Sequence, residues 1–370
     1  MSERDRAWLE IDIGAVVHNF HAIRQRVGAH TTVMAVVKAD AYGHGAIPVA
    51  RALEQAGAGW LAVATVDEGL ELRAAGIRAR TLILGCSAPQ RAKEVLAADL
   101  TPAIMAPADA HAFSEAATDQ RLPVHIKVDS GMCRMGVRHD EIADFCRQVG
   151  DLHNLDFEGI FSHFADAGLN PEFSAFQIDN FRRAVGEAEQ ILGPFKWQHM
   201  AASAALLLYH AKPFNMVRPG ISLYGAVEAV SGDQRPPLQQ AMTLKARLAL
   251  VKRVVPGDKI GYGCTYEIKQ QQHIGIVPIG YADGYARHLS NNADVIIRGR
   301  RRPVLGRVSM DVTVVSLGQE PECKVGDEVV LMGRQGAEHI GVEELAHRAG
   351  SIPEETFSRM GRRLPRIYQE

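Results

Sequence analysis

One lysine stands where a buried strand meets a glycine-containing turn. The apolar segment 32–37 predicts a strand buried on both faces, and Lys38 follows it directly. Two glycines flank His44, and the segment 47–53, with its early proline, indicates the start of a helix. Pyridoxal phosphate needs an amine for its aldehyde and amide donors for its phosphate, and this stretch offers both. A surface lysine at a strand end would give a similar pattern.

The composition is that of an ordinary globular protein with a small-molecule substrate. The 370 residues are 46% hydrophobic and 23% charged, and the net charge is -2. This length predicts one large domain and one smaller domain. The near-zero charge argues against nucleic acid or an anionic membrane as the main partner.

No secretion signal, membrane span or metal site is expected. Residues 1–6 are mostly charged, and the apolar run 201–208 is shorter than the ~20 residues that a span needs. A cytoplasmic location is therefore predicted. Five scattered cysteines without a Cys-x-x-Cys pair indicate buried thiols rather than disulfides or zinc ligands.

Eight short apolar runs with helical patterns between them predict a parallel barrel. They cover 33–37, 60–64, 81–84, 101–105, 124–128, 157–161, 197–201 and 216–218. Thr65 and Glu68 fit a capping box at the start of one of the intervening helices. Eight repeated strand–helix units favour a closed (β/α)8 barrel, of the α/β class, over an open sheet. The barrel is assigned to residues 13–230.

A mostly β domain is predicted for the rest of the chain, residues 1–12 and 231–370. The polar segment 231–237 has two prolines and marks a boundary, after which alternating strands dominate. Two short helices are expected late, at 342–348 and 354–360.

Five of the eight predicted barrel strands run into charged or hydroxyl side chains. Functional groups of such barrels lie at the C-terminal ends of the strands, and phosphate is often held after strands seven and eight. The strand ends in question carry Lys38, the segments 129–134 and 162–166, Ser203, and the segment 218–222. These groups should meet at one mouth of the barrel.

Seven motifs, in order, make the chain resemble the alanine racemase family over nearly its whole length. They are VVKADAYGHG at 36–45, KVDSGMxRxG at 127–136, SHFA at 162–165, RPGIxLYG at 218–225, GYG at 261–263, GYADG at 280–284 and GRVSMD at 306–311. The resemblance implies a barrel joined to a β domain, pyridoxal phosphate as cofactor, and interconversion of L- and D-alanine. D-alanine would then supply peptidoglycan in a bacterium.

The resemblance also implies two bases on opposite faces of the substrate's α-carbon. Lys38 would carry the cofactor and serve one face, and Tyr262 of a partner subunit would serve the other. A single base would mostly return the proton to the face it left. A nearby positive charge favours a phenolate, and His163 and Arg218 are the candidates to supply it. Because Tyr262 and Met310 would come from the neighbouring chain, a homodimer with shared active sites is implied.

Further contacts follow from the same resemblance. Arg218 matches the residue that contacts the pyridine nitrogen of the cofactor. Because a guanidinium only donates, this nitrogen would stay unprotonated. His199 matches a group that orients Arg218. Arg134 and the amide of Met310 match the substrate carboxylate site. The phosphate would be held by Tyr42, Ser203 and the amides of Gly220 and Ile221, and the entrance lined by Tyr281, Arg287 and Arg307. Lys127 matches a lysine that some members carbamylate to orient the arginine at 134.

Two positions depart from the family pattern. Ala202 stands where an asparagine is common, and Arg362 stands where many members place a tyrosine that touches the phosphate. An arginine there would reshape the inner gate, so a related racemase acting on serine, lysine or several amino acids is an alternative.

Several of the motif residues also allow a purely structural explanation. His163 could be a core histidine, Tyr262 an aromatic residue in a turn, and His44 and Asp283 turn stabilisers. Cys264 invites comparison with amino-acid decarboxylases of the same architecture. A pyridoxal phosphate carrier without activity is a further possibility, which the second domain argues against.

Overall fold

The computed structural model describes residues 6–118, 120–208, 214–227, 237–319 and 322–369. Its first half alternates strands and helices: β1 (Ala7–Asp12), α1 (Ile13–Val27), β2 (Thr32–Val36), α2 (Lys38–Tyr42), α3 (Ala46–Gln55), β3 (Trp60–Val63), α4 (Val66–Ala74), β4 (Arg80–Ile83), α5 (Ala92–Ala97), β5 (Thr101–Ile104), α6 (Pro107–Ala116), β6 (Leu122–Asp129), β7 (Val137–Arg138), α7 (Ile142–Val149), β8 (Leu155–Phe161), α8 (Pro171–Leu192), β9 (Trp197–Ala202), α9 (Ser203–Leu208) and β10 (Met216–Arg218).

Strands dominate the second half: β11 (Met242–Arg247), β12 (Leu250–Val254), β13 (Lys259–Ile260), β14 (Tyr266–Glu267), β15 (Gln272–Val277), β16 (Asp294–Ile297), β17 (Arg300–Pro303), β18 (Thr313–Gly318), β19 (Glu328–Gln335), β20 (Glu338–Ile340), α10 (Val342–Ala349), α11 (Pro353–Ser358) and β21 (Arg366–Gln369). Short 3-10 helices lie at Pro89–Arg91, Ile221–Tyr224, Tyr262–Cys264, Tyr281–Asp283 and Arg287–Leu289.

The predicted barrel is confirmed. Its strands follow the order β5-β4-β3-β2-β10-β9-β8-β6, and pairing of β5 with β6 closes the ring. Every neighbouring pair is parallel. Each predicted strand lies within two residues of its observed bounds, because buried parallel strands are continuous apolar runs that helices separate. The barrel interior is packed with apolar side chains such as Met34, Trp60 and Phe161.

The N-terminal strand belongs to the β domain rather than to the barrel. β1 pairs antiparallel with β11 and parallel with β21. The sheet that results follows the order β17-β16-β19-β11-β1-β21, with β20 paired to β19. A three-stranded sheet of β12, β15 and β18 and a small β13–β14 pair complete the domain. In the ranges described, every helix is too short or too polar to cross a membrane.

One buried carboxylate joins the start of the chain to the β domain. Asp283 is fully buried and accepts hydrogen bonds from both terminal nitrogens of Arg6, at 3.1 and 2.8 Å. It also accepts the backbone N–H of Gly280, and Nε of Arg363 lies 3.3 Å away. Because a buried charge is stable only when it is paired, these contacts fix the turn that contains Asp283.

Replacing Asp283 with asparagine should lower the free energy of unfolding by about 2 kcal/mol, since charge-assisted hydrogen bonds of a buried group are lost. Urea denaturation would measure the change. Asp311→Asn is the matched control, because Asp311 pairs with the same Arg363 at 2.7 Å but is exposed, and it should change stability little. Equal losses in both variants would contradict this account.

Candidate active site

A cavity of about 690 Å³ opens at the C-terminal ends of the barrel strands. Eight of the ten predicted site residues line it: Lys38, Tyr42, Arg134, His163, Ser203, Arg218, Gly220 and Ile221. Five different strand ends therefore contribute to one pocket, as the barrel geometry predicts. Ala202, the departure from the family pattern, lines the cavity as well.

The amine of Lys38 is prepared to act as a nucleophile or base. Burial lowers its pKa from the usual range, and the charges of Arg134 and Arg218 lower it further, while Glu68 acts in the opposite direction. A lowered pKa makes the uncharged amine, whose lone pair a reaction with an aldehyde requires, easier to form.

The backbone after Lys38 is wound left-handed. Ala39, Asp40, Ala41 and Tyr42 have φ between 52° and 54°, and Gly43 continues the turn with φ 79°. A left-handed conformation costs roughly 1–2 kcal/mol for each residue with a side chain, so neighbouring groups must stabilise the turn. The sequence indicated a turn here, but its hand was not predicted, because alanine and tyrosine give no signal for it.

A polar pocket lies at the ends of β9 and β10, formed by the hydroxyls of Ser203 and Ser222 and the amides of Gly220 and Ser222. Ser203 Oγ accepts the N–H groups of Gly220 and Ser222 at 3.0 and 3.2 Å, and Ser222 Oγ donates to it at 2.9 Å. A Cβ atom on Gly220 would lie 2.4 Å from the Tyr42 hydroxyl, so glycine is what allows the hydroxyl to approach. Ser222 was not predicted as a site residue, although it lies inside the motif RPGIxLYG.

Arg218 is buried and is held by four acceptors. It donates to His199 Nδ1 at 2.6 Å, to the carbonyls of Ser162 and Met200 at 2.7 and 3.3 Å, and to His163 Nδ1 at 3.2 Å. Burial lowers the pKa of Arg218 to about 9, which leaves the guanidinium charged at neutral pH. The contact with His199 is the one that the resemblance implied.

A chain of buried groups continues from Arg218 into the barrel core. Because a guanidinium only donates, His199 Nδ1 must accept, so the ring proton of His199 is on Nε2. That nitrogen lies 2.9 Å from His125 Nδ1, which places the proton of His125 on its own Nε2. The nearest acceptor for it is the Glu158 carboxylate at 3.5 Å, and Arg80 pairs with that carboxylate from the other side.

This chain was not predicted from the sequence. His125 and Glu158 lie in the middle of apolar strands β6 and β8, where a polar residue gives no indication of its partner. Gly159 explains how the imidazole fits, since a Cβ atom at that position would lie 2.5 Å from the His125 ring.

His163 lies beside Arg218, the other residue that was expected to supply positive charge. Burial lowers its pKa well below the usual value, and the charges of Arg218, Lys127 and Arg134 lower it further. A neutral imidazole accepts the N–H of Arg218, so Arg218 is the cation at this point of the cavity. The role of His163 in the site stays a prediction, and sequence alone does not show how many cations surround its ring.

Lys127 is a second buried amine in the cavity. Its pKa lies well below the usual value because of burial and the charges of Arg218 and Arg134. Its Nζ lies 4.8 Å from the centre of the Phe161 ring. Asp129 acts on the pKa in the opposite direction, but among the residues described no carboxylate forms an ion pair with this nitrogen.

The two remaining predicted site residues lie away from this cavity. Tyr262 is 73% exposed and Met310 is 52% exposed, both on turns of the β domain. The turns that carry them are neighbours: Gly261 lies against the backbone of Arg307, and Met310 accepts a hydrogen bond from Ala282. One chain therefore presents Tyr262 and Met310 on its surface and the other eight residues in its cavity.

The structure places Glu354, rather than Arg362, at the cavity. Ile352 and Glu354, at the start of α11, line it, whereas Arg362 is exposed on the turn after that helix. Glu354 lies close enough to contribute to the raised pKa of Tyr42, whose main cause is burial. The expectation that Arg362 reshapes the inner gate is not supported, because the residue of this segment that lines the cavity is Glu354, eight positions before Arg362.

Three buried histidines and the half-buried His163 should make the fold sensitive to acid. The pKa of His44 is lowered to about 3 by burial, and burial also lowers the pKa values of His125, His163 and His199. The unfolded chain takes up protons near pH 6.5 that these rings do not bind in the folded protein. Their contribution to stability is therefore full above about pH 6.5 and is lost as the pH falls, by up to about 1.4 kcal/mol per pH unit for each ring.

Urea unfolding from pH 7 to pH 5 would measure this loss. His199→Gln should reduce the pH dependence, since one buried ring is removed. His111→Gln, at an exposed position, is the matched control and should leave the pH dependence unchanged. A wild-type stability that does not fall in acid would contradict the assignment of neutral rings.

The chain has a parallel barrel with a lysine at its mouth and an additional β domain, which places it among the barrel enzymes. Comparisons with known proteins show to which enzyme family it belongs. The family model for the alanine racemase N-terminal domain matches residues 11–228, and that for the C-terminal domain matches residues 241–368. The alanine racemase of Desulforamulus reducens is 42% identical, over 99% of each chain, and that of Desulfovibrio desulfuricans is 40% identical, over 98% of each.

Solved structures agree. The alanine racemase of Streptomyces lavendulae superposes with a TM-score of 0.93 at 35% identity, covering 99% of this chain and 97% of the other. The alanine racemase of Bacillus anthracis, solved with bound L-Ala-P, gives 0.91 at 34% identity, with 99% and 95% covered. The chain belongs to the alanine racemase family. It is an isomerase that interconverts the enantiomers of alanine.

Proposed function

We propose that this activity depends on pyridoxal phosphate held by Lys38. The observation that carries the proposal is a lysine with a lowered pKa at the mouth of a barrel, across a cavity from a buried arginine. An uncharged amine is the form that reacts with the cofactor's aldehyde. When bound, the cofactor would supply an electron sink for the pair left when the α-proton leaves.

The other residues of the cavity fit the rest of this cofactor. The hydroxyls of Ser203 and Tyr42 offer donors for a phosphate, beside the amides of Gly220 and Ile221, and glycine at position 220 lets the Tyr42 hydroxyl approach. Arg218 would face the pyridine nitrogen. Because a guanidinium donates and does not give up its proton, the nitrogen would stay unprotonated and the electron sink would be mild.

Racemisation requires proton transfer on both faces of the α-carbon. Lys38 would serve one face, and Tyr262 of a second copy of the chain would serve the other. The exposure of Tyr262 and Met310 supports this arrangement, since both are available to enter another molecule's cavity. A homodimer with two shared active sites follows from it.

The substrate carboxylate would be bound by Arg134 and by the amide of Met310 from the second copy. Lys127, an amine of lowered pKa near that arginine, is suited to carbamylation, which would turn the amine into an anion facing Arg134. A cytoplasmic role in supplying D-alanine for peptidoglycan is consistent with this function.

Lys38→Ala should abolish the visible absorption of bound cofactor and the activity, since the lysine that carries the cofactor is removed. Tyr262→Phe should keep the absorption and slow exchange of the α-proton of L-alanine much more than that of D-alanine, because one face loses its base. Deuterium exchange followed by NMR, for each enantiomer, measures both rates. Equal slowing of the two enantiomers would contradict the assignment of faces.

Mixing two inactive variants tests whether sites are shared. A heterodimer of Lys38→Ala and Tyr262→Phe has one site with both defects and one with neither, so random exchange should restore about a quarter of wild-type activity. Lys38→Ala mixed with Arg218→Ala is the control, because both residues lie in the same chain's cavity and no site would be intact. No recovery in the first mixture would exclude shared sites.

Turnover of serine and lysine beside alanine would define the substrate range. Glu354 and Ala202 at the cavity make the comparison informative, and negligible turnover of alanine with high turnover of another amino acid would point to the related racemase.

A further inference from the structure

The left-handed turn 39–42 connects two residues of the proposed cofactor site. Lys38 precedes it, and Tyr42 is its last member. The turn is closed by its own hydrogen bonds, from the amide of Ala41 to the carbonyl of Val37 at 2.9 Å and from Gly43 to Ala39 at 3.0 Å. These bonds would form equally well in a right-handed turn, so they do not select the hand.

The C-terminal strand supplies a side-chain contact to the turn from outside it. Arg366 is largely buried and donates from Nε to the carbonyl of Gly43 at 2.8 Å. Its Nη2 lies 3.8 Å from the Asp40 carboxylate. The same guanidinium donates to the carbonyls of Leu364 and Met360, which fix it in place. One side chain therefore engages both the middle and the end of the turn.

Two glycines let the C-terminal segment lie directly on the turn. A Cβ atom on Gly43 would be 2.5 Å from the carbonyl oxygen of Phe357, and one on Gly45 would be 2.1 Å from the hydroxyl of Tyr368. Both glycines have positive φ. The C-terminal segment therefore lies against the backbone of the turn, with no side chain of the turn in between.

His44 adds support from within the motif, beside Glu68 Oε1, which accepts the amide of Ala39 at 2.7 Å, and Asp40 Oδ1, which accepts the amide of Ala46 at 2.7 Å. The Nδ1 of His44 lies 3.0 Å from the carbonyl of Ala41 and 3.1 Å from that of Tyr42, so Nδ1 carries the proton and donates to both. Its ring stacks on Tyr224 at 4.4 Å and meets the edge of Phe357 at 4.8 Å. The imidazole thus links the turn to the barrel and to α11.

We propose that Arg366 is a positioning residue: it holds the turn 39–42 in its left-handed form, and so keeps Lys38 and Tyr42 directed into the cavity. The β domain thereby controls a cofactor site that lies in the barrel of the same chain. The effect on cofactor binding rests on the proposed function, but the conformation of the turn can be measured without cofactor.

Arg366→Met keeps the length of the side chain and removes its donors, so the turn should relax. In full-length protein before cofactor is added, the amides of Ala41 and Gly43 should exchange with deuterium about tenfold faster, since roughly one charge-assisted hydrogen bond is lost. The dissociation constant for pyridoxal phosphate should rise by about the same factor. Mass spectrometry of a peptide spanning 36–45 and titration of the visible absorption measure the two effects.

Glycine at position 39 provides the rescue. Ala39 is exposed and left-handed, and glycine takes that conformation freely, so Ala39→Gly should restore most of the slow exchange and the cofactor affinity of the Arg366→Met variant. Ala175→Gly is the matched control, because Ala175 is exposed in the right-handed helix α8. It should rescue neither property.

A purely structural role for Arg366 would lower thermal stability without these signatures. Unchanged exchange in Arg366→Met, or equal rescue by both glycines, would overturn the proposal. If Arg366→Met does not fold, Arg366→Lys keeps the charge but lacks the Nε donor, and it should show the same faster exchange; wild-type exchange there would also overturn the proposal. A wild-type chain that takes up no cofactor at Lys38 would refute the proposed function and leave the exchange test intact.

Discussion

The removal of basic side chains from water is the constraint on which the barrel mouth depends. Lys38, Lys127 and Arg218 are half-buried or buried around one cavity, which the exposed Arg134 also lines, and within the described ranges none of the four forms an ion pair with a carboxylate. The two kinds of basic side chain respond differently to the cost of burying a charge. The amines have lowered pKa values, whereas the guanidinium of Arg218 keeps its charge and is satisfied by neutral acceptors. A cavity built this way favours anionic ligands, such as a phosphate or a carboxylate.

The environment of Arg218 shows how a buried cation is stabilised without a direct ion pair. Its partners are two imidazoles and two carbonyls, all of them acceptors. Beyond His199 and His125, the next charged group is Glu158, which is shared with Arg80. The ring protons of His199 and His125 both point away from the cavity, so the lone pair of His199 is turned toward Arg218. A carboxylate in direct contact would instead neutralise the positive charge that the cavity uses.

Periodicity carried the predictions of the fold, the family resemblance carried the roles of the site residues, and contacts between distant segments limited both. The eight strands, the two late helices and the residues at the mouth followed from apolar runs and from the place of functional groups in parallel barrels. The capping box at Thr65 was also confirmed, with Glu68 accepting the amides of Ala64 and Thr65. The hand of the turn after Lys38, the pairing of His125 with Glu158 and the position of Glu354 depend on neighbours far away in the chain. A local pattern holds no information about them.

The pairing of β1 between β11 and β21 has a consequence for synthesis of the chain. β1 is made first, but both strands that bond to it are made late, and β21 lies at the very end of the described chain. The barrel has all its strands once β10 has left the ribosome, whereas the main sheet of the other domain is complete only when β21 has been made. A chain cut before β21 would therefore leave β1 with an unpaired edge and lack Arg366, beside a barrel whose own strands are all present.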